Sequence, residues 1–81
     1  FKVGDRVTYG NGPVGSYTAE RVFPAERTVK IPDGVGDDQA AAMMLRGLTV
    51  WYLLFEIRPI KAGETVLLHA AAGGIGLMLA Q

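Results

Sequence analysis

The stretch Thr65-Val66-Leu67-Leu68-His69-Ala70-Ala71-Ala72-Gly73-Gly74-Ile75-Gly76-Leu77-Met78-Leu79 decides how this chain is read. Residues 65–69 are an apolar run of strand length with no polar alternation, the pattern of a strand buried on both faces as in parallel sheets. Glycines 73, 74 and 76 follow at once, and an apolar helix is expected from Ile75. Strand, glycine loop and helix in that order open a βαβ unit. A phosphate at such a turn is held by backbone N–H groups and the helix dipole, so the turn must lack side chains that would keep it away. Gly73 and Gly74 meet that need, and Gly76 would let the first helical turn pack closely. Set on the spacing G-x-G-x-x-G, residues 71–76 read Ala71-Ala72-Gly73-Gly74-Ile75-Gly76. Alanine replaces the first glycine, which is acceptable where φ is negative. Ala72, Gly73, Gly74 and Ile75 are the candidates for main-chain contact with a pyrophosphate; the other reading is an ordinary tight turn.

Upstream of this unit, Ile60-Lys61-Ala62-Gly63-Glu64 reads as a turn, and before it lies a helix. Gly36 or Asp37 can cap it, Asp37 and Asp38 suit the positive end of the dipole, and Ala40-Ala41-Ala42 are the strongest helix formers. Met44, Leu48, Trp51 and Phe55 are spaced four, three and four apart, so they share one narrow stripe that is expected to face a core. Gly47 interrupts the helix and implies either a kink or the close approach of another group. Pro59 closes the segment. Further back, Arg6-Val7-Thr8-Tyr9 and Thr28-Val29-Lys30-Ile31 alternate polar and apolar, and Gly15 to Phe23 is a third extended run. Gly10-Asn11-Gly12-Pro13, Pro24 and Pro32-Asp33-Gly34 punctuate them, so three short strands of an antiparallel barrel or sandwich are expected. The chain thus reads as all-β followed by α/β.

Composition narrows the function classes. Eight basic and eight acidic side chains cancel, which speaks against a nucleic-acid or membrane-surface footprint. There is no cysteine and one histidine, His69, so no disulfide framework, thiolate nucleophile or metal cluster is expected. No apolar run is expected to approach the ~20 residues of a bilayer span, and no signal peptide is expected. Phe1-Lys2-Val3 enters a strand pattern without preamble, and Leu77-Met78-Leu79-Ala80-Gln81 carries no helix stop, so the expectation is an internal piece of a longer chain, inactive by itself.

Several of these residues together resemble a known family. Gly63-Glu64, Leu67 and the run Ala71 to Gly76, with Gln81 five residues on, are similar to the signature of quinone oxidoreductases related to zeta-crystallin, in the medium-chain dehydrogenase/reductase superfamily. Val3-Gly4-Asp5-Arg6-Val7, Gly15-Ser16-Tyr17 and Gly47-Leu48-Thr49-Val50-Trp51-Tyr52-Leu53-Leu54 resemble it in the same order. The resemblance implies an α/β plus β fold: residues 1–46 as the C-terminal part of a GroES-like β-barrel catalytic domain with a linker helix, and 47–81 as the start of a Rossmann doubly wound domain. It further implies NADPH as cofactor, a quinone or activated alkene (enone) as acceptor, a cytoplasmic homodimer, and Thr49 bonding the nicotinamide carboxamide. The other reading of Thr49 is a hydroxyl bonded to its own helix. Zinc-dependent members carry a cysteine where Leu45 stands and a four-cysteine lobe near the short turn Tyr9 to Gly15, so the likeness is to the zinc-free branch. An enoyl or alkenal reductase, including a polyketide synthase reductase domain, is the related alternative, and a non-catalytic nucleotide-binding module the unrelated one.

The remaining polar residues read more plainly. His69 is expected as a structural histidine ending a buried strand, and Tyr52 as a core or rim residue. Met43 and Met44 are read as core filler, and Arg46 as a solvated helix charge, with contact to a phosphate or substrate as its lesser reading.

Overall fold

Arg6-Val7-Thr8-Tyr9 and Thr28-Val29-Lys30-Ile31 do meet as strands, but only their centres pair. β1 (Val7–Thr8) runs antiparallel to β2 (Val29–Lys30), with Val7 opposite Lys30 and Thr8 opposite Val29. The computed structural model describes every residue from Phe1 to Gln81 and divides into two units, Phe1–Leu45 and Arg46–Gln81. The division falls within a long helix, α1 (Asp37–Trp51).

The first unit is held by polar staples around the β1–β2 pair. Arg6 donates from Nε and Nη2 to Asp37 Oδ1, at 3.0 and 2.6 Å, and from Nη2 to the Val35 carbonyl at 2.7 Å, tying β1 to the start of α1. Gly36, not Asp37, caps that start: its carbonyl accepts from the Ala40 amide, and its own N–H donates to Gln39 Oε1 at 3.0 Å. The glutamine thus makes the side-chain half of a capping box, without the reciprocal bond that a serine or threonine cap would add. Ala40 is the buried apolar side chain here, set beside Val7 and Ile31.

The expected strand over Gly15–Phe23 is absent; the segment is a series of bends. Its residues instead wrap Arg21, which donates to the Pro13 carbonyl (2.9 Å) and the Tyr9 hydroxyl (3.2 Å) and lies over the Phe23 ring at 4.8 Å. Tyr9 and Phe23 stack with centroids 4.1 Å apart. Hydrogen bonding to Ser16, then to Arg21, lowers the Tyr9 hydroxyl below its ordinary pKa. A side chain that satisfies three partners across the loop competes with a ladder, and here it wins.

In the second unit α1 continues without a break into a widened π-helical turn, Tyr52–Ile57, where the Arg58 amide reaches the Leu53 carbonyl five residues back. The helix runs unbroken through Gly47, and the close approach comes from Met78, whose Cε is 3.6 Å from where a Cβ on residue 47 would lie. The helical run Asp37–Ile57 is 21 residues and, by length and composition alone, could cross a membrane. That corrects the sequence-based expectation that nothing here reaches span length. A core helix of a soluble protein passes the same test, and Arg46 at mid-run would cost about 2.5 to 3.5 kcal/mol at a bilayer centre.

Two expectations of burial fail. The stripe on α1 is open, with Leu48 45%, Trp51 53% and Phe55 60% exposed, because these 81 residues lay nothing over it. Residues 65–69 form no strand, and Leu67 is 83% exposed. A parallel strand exists only against a neighbouring strand, and the chain's sheet is the single β1–β2 pair. His69 is correspondingly exposed, not buried. The turn at 60–64 forms as read: the Glu64 amide bonds the Lys61 carbonyl, Glu64 Oε2 accepts from the Lys61 amide at 2.9 Å, and Gly63 takes the positive φ of 87° that a side chain would resist.

Candidate functional site

The loop after residue 69 is built by one left-handed residue. Ala70 has φ 55°, and its carbonyl turns to accept the Gly73 amide at 2.9 Å, closing a tight turn over Ala71 and Ala72. Holding alanine there costs roughly 1–2 kcal/mol, a strain that the bonded turn must offset. Ala71, which stands for the first glycine of the spacing, is not left-handed, so its methyl group is accommodated. Gly73 follows in extended conformation (φ −75°, ψ 164°) as the cap of α2 (Gly74–Leu79), its carbonyl taking the Leu77 amide at 2.8 Å. No side chain caps this helix. The first-turn amides of Gly74, Ile75 and Gly76 therefore have no acceptor inside the helix and none on a capping side chain.

The glycines differ in why they are glycine. A Cβ on residue 76 would collide with the Ala70 carbonyl oxygen and lie 2.7 Å from both Cα and O of Ala71, all main-chain atoms. Gly76 is buried and lets the helix press directly on the turn. A Cβ on residue 74 would instead meet the Arg46 side chain, with Nε at 2.8 Å and Cδ and Cζ at 3.0 Å. At residue 73 it would sit 3.2 Å from the Ala70 carbonyl. A side chain at any of the three would thus meet atoms already in place, and the uncapped amides at this helix start suit a phosphate brought close to the main chain.

Around the loop lies an open cleft of about 550 Å³, lined by Arg46, His69, Ala70, Gly73, Gly74 and Ile75 among others. Of the expected binding residues, Gly73, Gly74 and Ile75 share this cleft, while Ala72 sits in the turn just outside the lining. Thr49 is half-buried on α1, three residues beyond Arg46, does not line the cleft, and already has a partner within the chain. Arg46 and His69, read from the sequence as a solvated helix charge and a structural histidine, are the polar side chains that the structure brings to the loop. Helical spacing gave no hint for Arg46, since contact with Gly74 depends on how the turn folds back. No group of three or more His, Cys, Asp and Glu side chains is placed to hold a metal ion.

Comparison with known proteins gives one consistent answer. No family model matches the chain. It is 53% identical over all 81 residues to a quinone oxidoreductase of Pseudomonas aeruginosa, of which it covers 25%. To a 2-haloacrylate reductase of a Burkholderia species it is 45% identical over 78 residues, 94% of this chain and 23% of that protein. Among solved structures, a quinone oxidoreductase from Pseudomonas syringae pv. tomato DC3000 superposes with a TM-score of 0.90 at 54% identity, covering 98% of this chain and 24% of that one. The chain is homologous to quinone oxidoreductases from end to end and spans about a quarter of their length.

Proposed function

We propose that this chain is the nucleotide-cradling portion of a zinc-free, NADPH-dependent oxidoreductase that reduces a quinone or an activated alkene. The observation that carries the reading is Gly76: a helix pressed so closely on the Ala70–Ala71 turn that no Cβ fits leaves at its start a corner whose amides no side chain caps. The 53% identity to a quinone oxidoreductase supports the chemistry. In this reading the main chain of Ala72, Gly73, Gly74 and Ile75 holds the pyrophosphate, and Thr49 orients the nicotinamide through its carboxamide. When bound, the nicotinamide supplies the hydride; the protein supplies position and a fixed electrostatic environment. The α1 helix contributes rigidity, placing Arg46 and Thr49 on a single scaffold. We assign residues 1–46 to the end of a GroES-like barrel with its linker helix and 47–81 to the beginning of a Rossmann domain, in a cytoplasmic homodimer.

Reduction of an activated alkene is the second reading, favoured by the 45% identity to a 2-haloacrylate reductase. The proteins matched bear enzyme names, so the non-catalytic module gains no support from them. Steady-state NADPH oxidation by the protein at its full natural length, with a naphthoquinone, with an enone and without acceptor, decides among these. Turnover with the quinone supports the first reading and turnover with the enone alone the second. Binding of NADPH with no turnover of any acceptor would overturn both.

A further inference from the structure

The cleft beside the glycine loop is one-signed. Its lining contains no acidic side chain, and its one permanently charged group is Arg46. Arg46 takes part in none of the three ion pairs of the chain, which join Arg6 to Asp37, Lys30 to Asp5 and Arg58 to Glu64. Arg58 is thus neutralised by Glu64, while Arg46 at the glycine loop has no carboxylate partner. Arg46 is itself exposed on its helix. Its Cδ, Nε and Cζ nevertheless all come within 3.0 Å of the point where a Gly74 Cβ would be, so the side chain passes beside residue 74. The absence of a side chain at Gly74 lets this cation lie beside the main chain. Guanidinium is planar, always charged and matches two oxygens of a phosphate at once, so a lysine in its place would not be equivalent.

We infer that Arg46 is an anion-binding residue of this cleft, gripping the diphosphate bridge of the dinucleotide from the helix side while the loop amides hold it from the other. The inference rests on the loop being the nucleotide site. It assigns Arg46 to the bridge common to NADH and NADPH, not to the additional phosphate of NADPH, and so makes Arg46 a determinant of affinity for any adenosine diphosphate ester.

The test is calorimetric titration of the protein at its full natural length with NADPH, NADH and ADP-ribose, at two salt concentrations, for wild type, Arg46→Gln and Arg46→Lys. Loss of one charge-assisted contact predicts an affinity about tenfold lower for all three ligands in Arg46→Gln, with a shallower salt dependence. Arg46→Lys is expected to recover the salt dependence but only part of the affinity. Glutamine and lysine are good helix formers, so both variants keep α1. Unchanged ADP-ribose affinity in Arg46→Gln overturns the inference and leaves the loop assignment standing. A loss confined to NADPH also overturns it, since Arg46 would then serve the extra phosphate. Failure of wild type to bind any of the three removes the loop assignment and the inference together.

Discussion

Replacing Gly76 by alanine tests whether the turn and α2 are pressed together as described. The new methyl group would collide with the Ala70 carbonyl and lie 2.7 Å from Ala71 Cα and O, and since all of these are main-chain atoms no side-chain rotation relieves it. Forcing one methyl group into such a space costs about 1–3 kcal/mol. Alanine returns at most about 1 kcal/mol of helix preference over glycine, so a net loss of roughly 1–2 kcal/mol is expected. Gly74→Ala is the matched control, because both glycines have negative φ and lie in the same helix. There the clash is with the far end of the Arg46 side chain, which can swing aside, and the net change is expected within about 0.5 kcal/mol. Urea unfolding of both variants, read as midpoints at constant slope, gives the comparison. Equal costs at the two positions, or no cost at Gly76, would refute the close packing and with it the physical basis of the bare corner.

Thr49→Val should weaken NADPH binding or orientation by about 0.5–1.5 kcal/mol, one hydrogen bond's worth; unchanged affinity and turnover would remove Thr49 from the site. Gly47→Ala should raise thermal stability by up to about 1 kcal/mol, because Met78 at 3.6 Å makes only ordinary contact with the new methyl. A drop in cofactor affinity in that variant would mean a ligand, not Met78, requires the glycine. The Asp5 carboxyl is held below its ordinary 3.8 by the hydrogen bond from Lys30, then by the Lys2 amide. A depressed folded value means the contribution is present above pH 3.8 and is lost as pH falls through the folded value. Asp5→Asn should therefore lower stability near neutrality and flatten the acid limb of a stability-against-pH curve, whereas an unchanged acid limb counts against the Lys30–Asp5 pair.

What the sequence revealed, it revealed where local chemistry acts alone. Asp37, Gln39 and the alanines after them specify a helix start within a few residues, and Lys61 to Glu64 specify their turn through Gly63 and a carboxylate placed three residues on. The glycine loop was legible for the same reason, down to the tolerance for alanine at position 71. Features that need a distant partner were not. The run 65–69 has the composition of a buried strand, yet composition cannot supply the neighbouring strand against which one forms. Gly15 to Phe23 looks extended until Arg21 is seen bonding across it, and the widened turn at Tyr52–Ile57 leaves no residue pattern at all. Arg46 reads as a solvated helix charge and is exposed, but its approach to Gly74, 28 positions away, appears only once the turn has folded back on the helix.

The open ridge on α1 also carries the sole indole of the chain, Trp51, with the Phe55 ring of the following π-helical turn 6.2 Å from it. That makes the ridge optically self-reporting. A half-bare indole emits at the long wavelengths typical of water and is quenched by iodide. Whatever comes to shelter it will shift the emission to the blue and protect it, so coverage can be followed by fluorescence without attaching a dye.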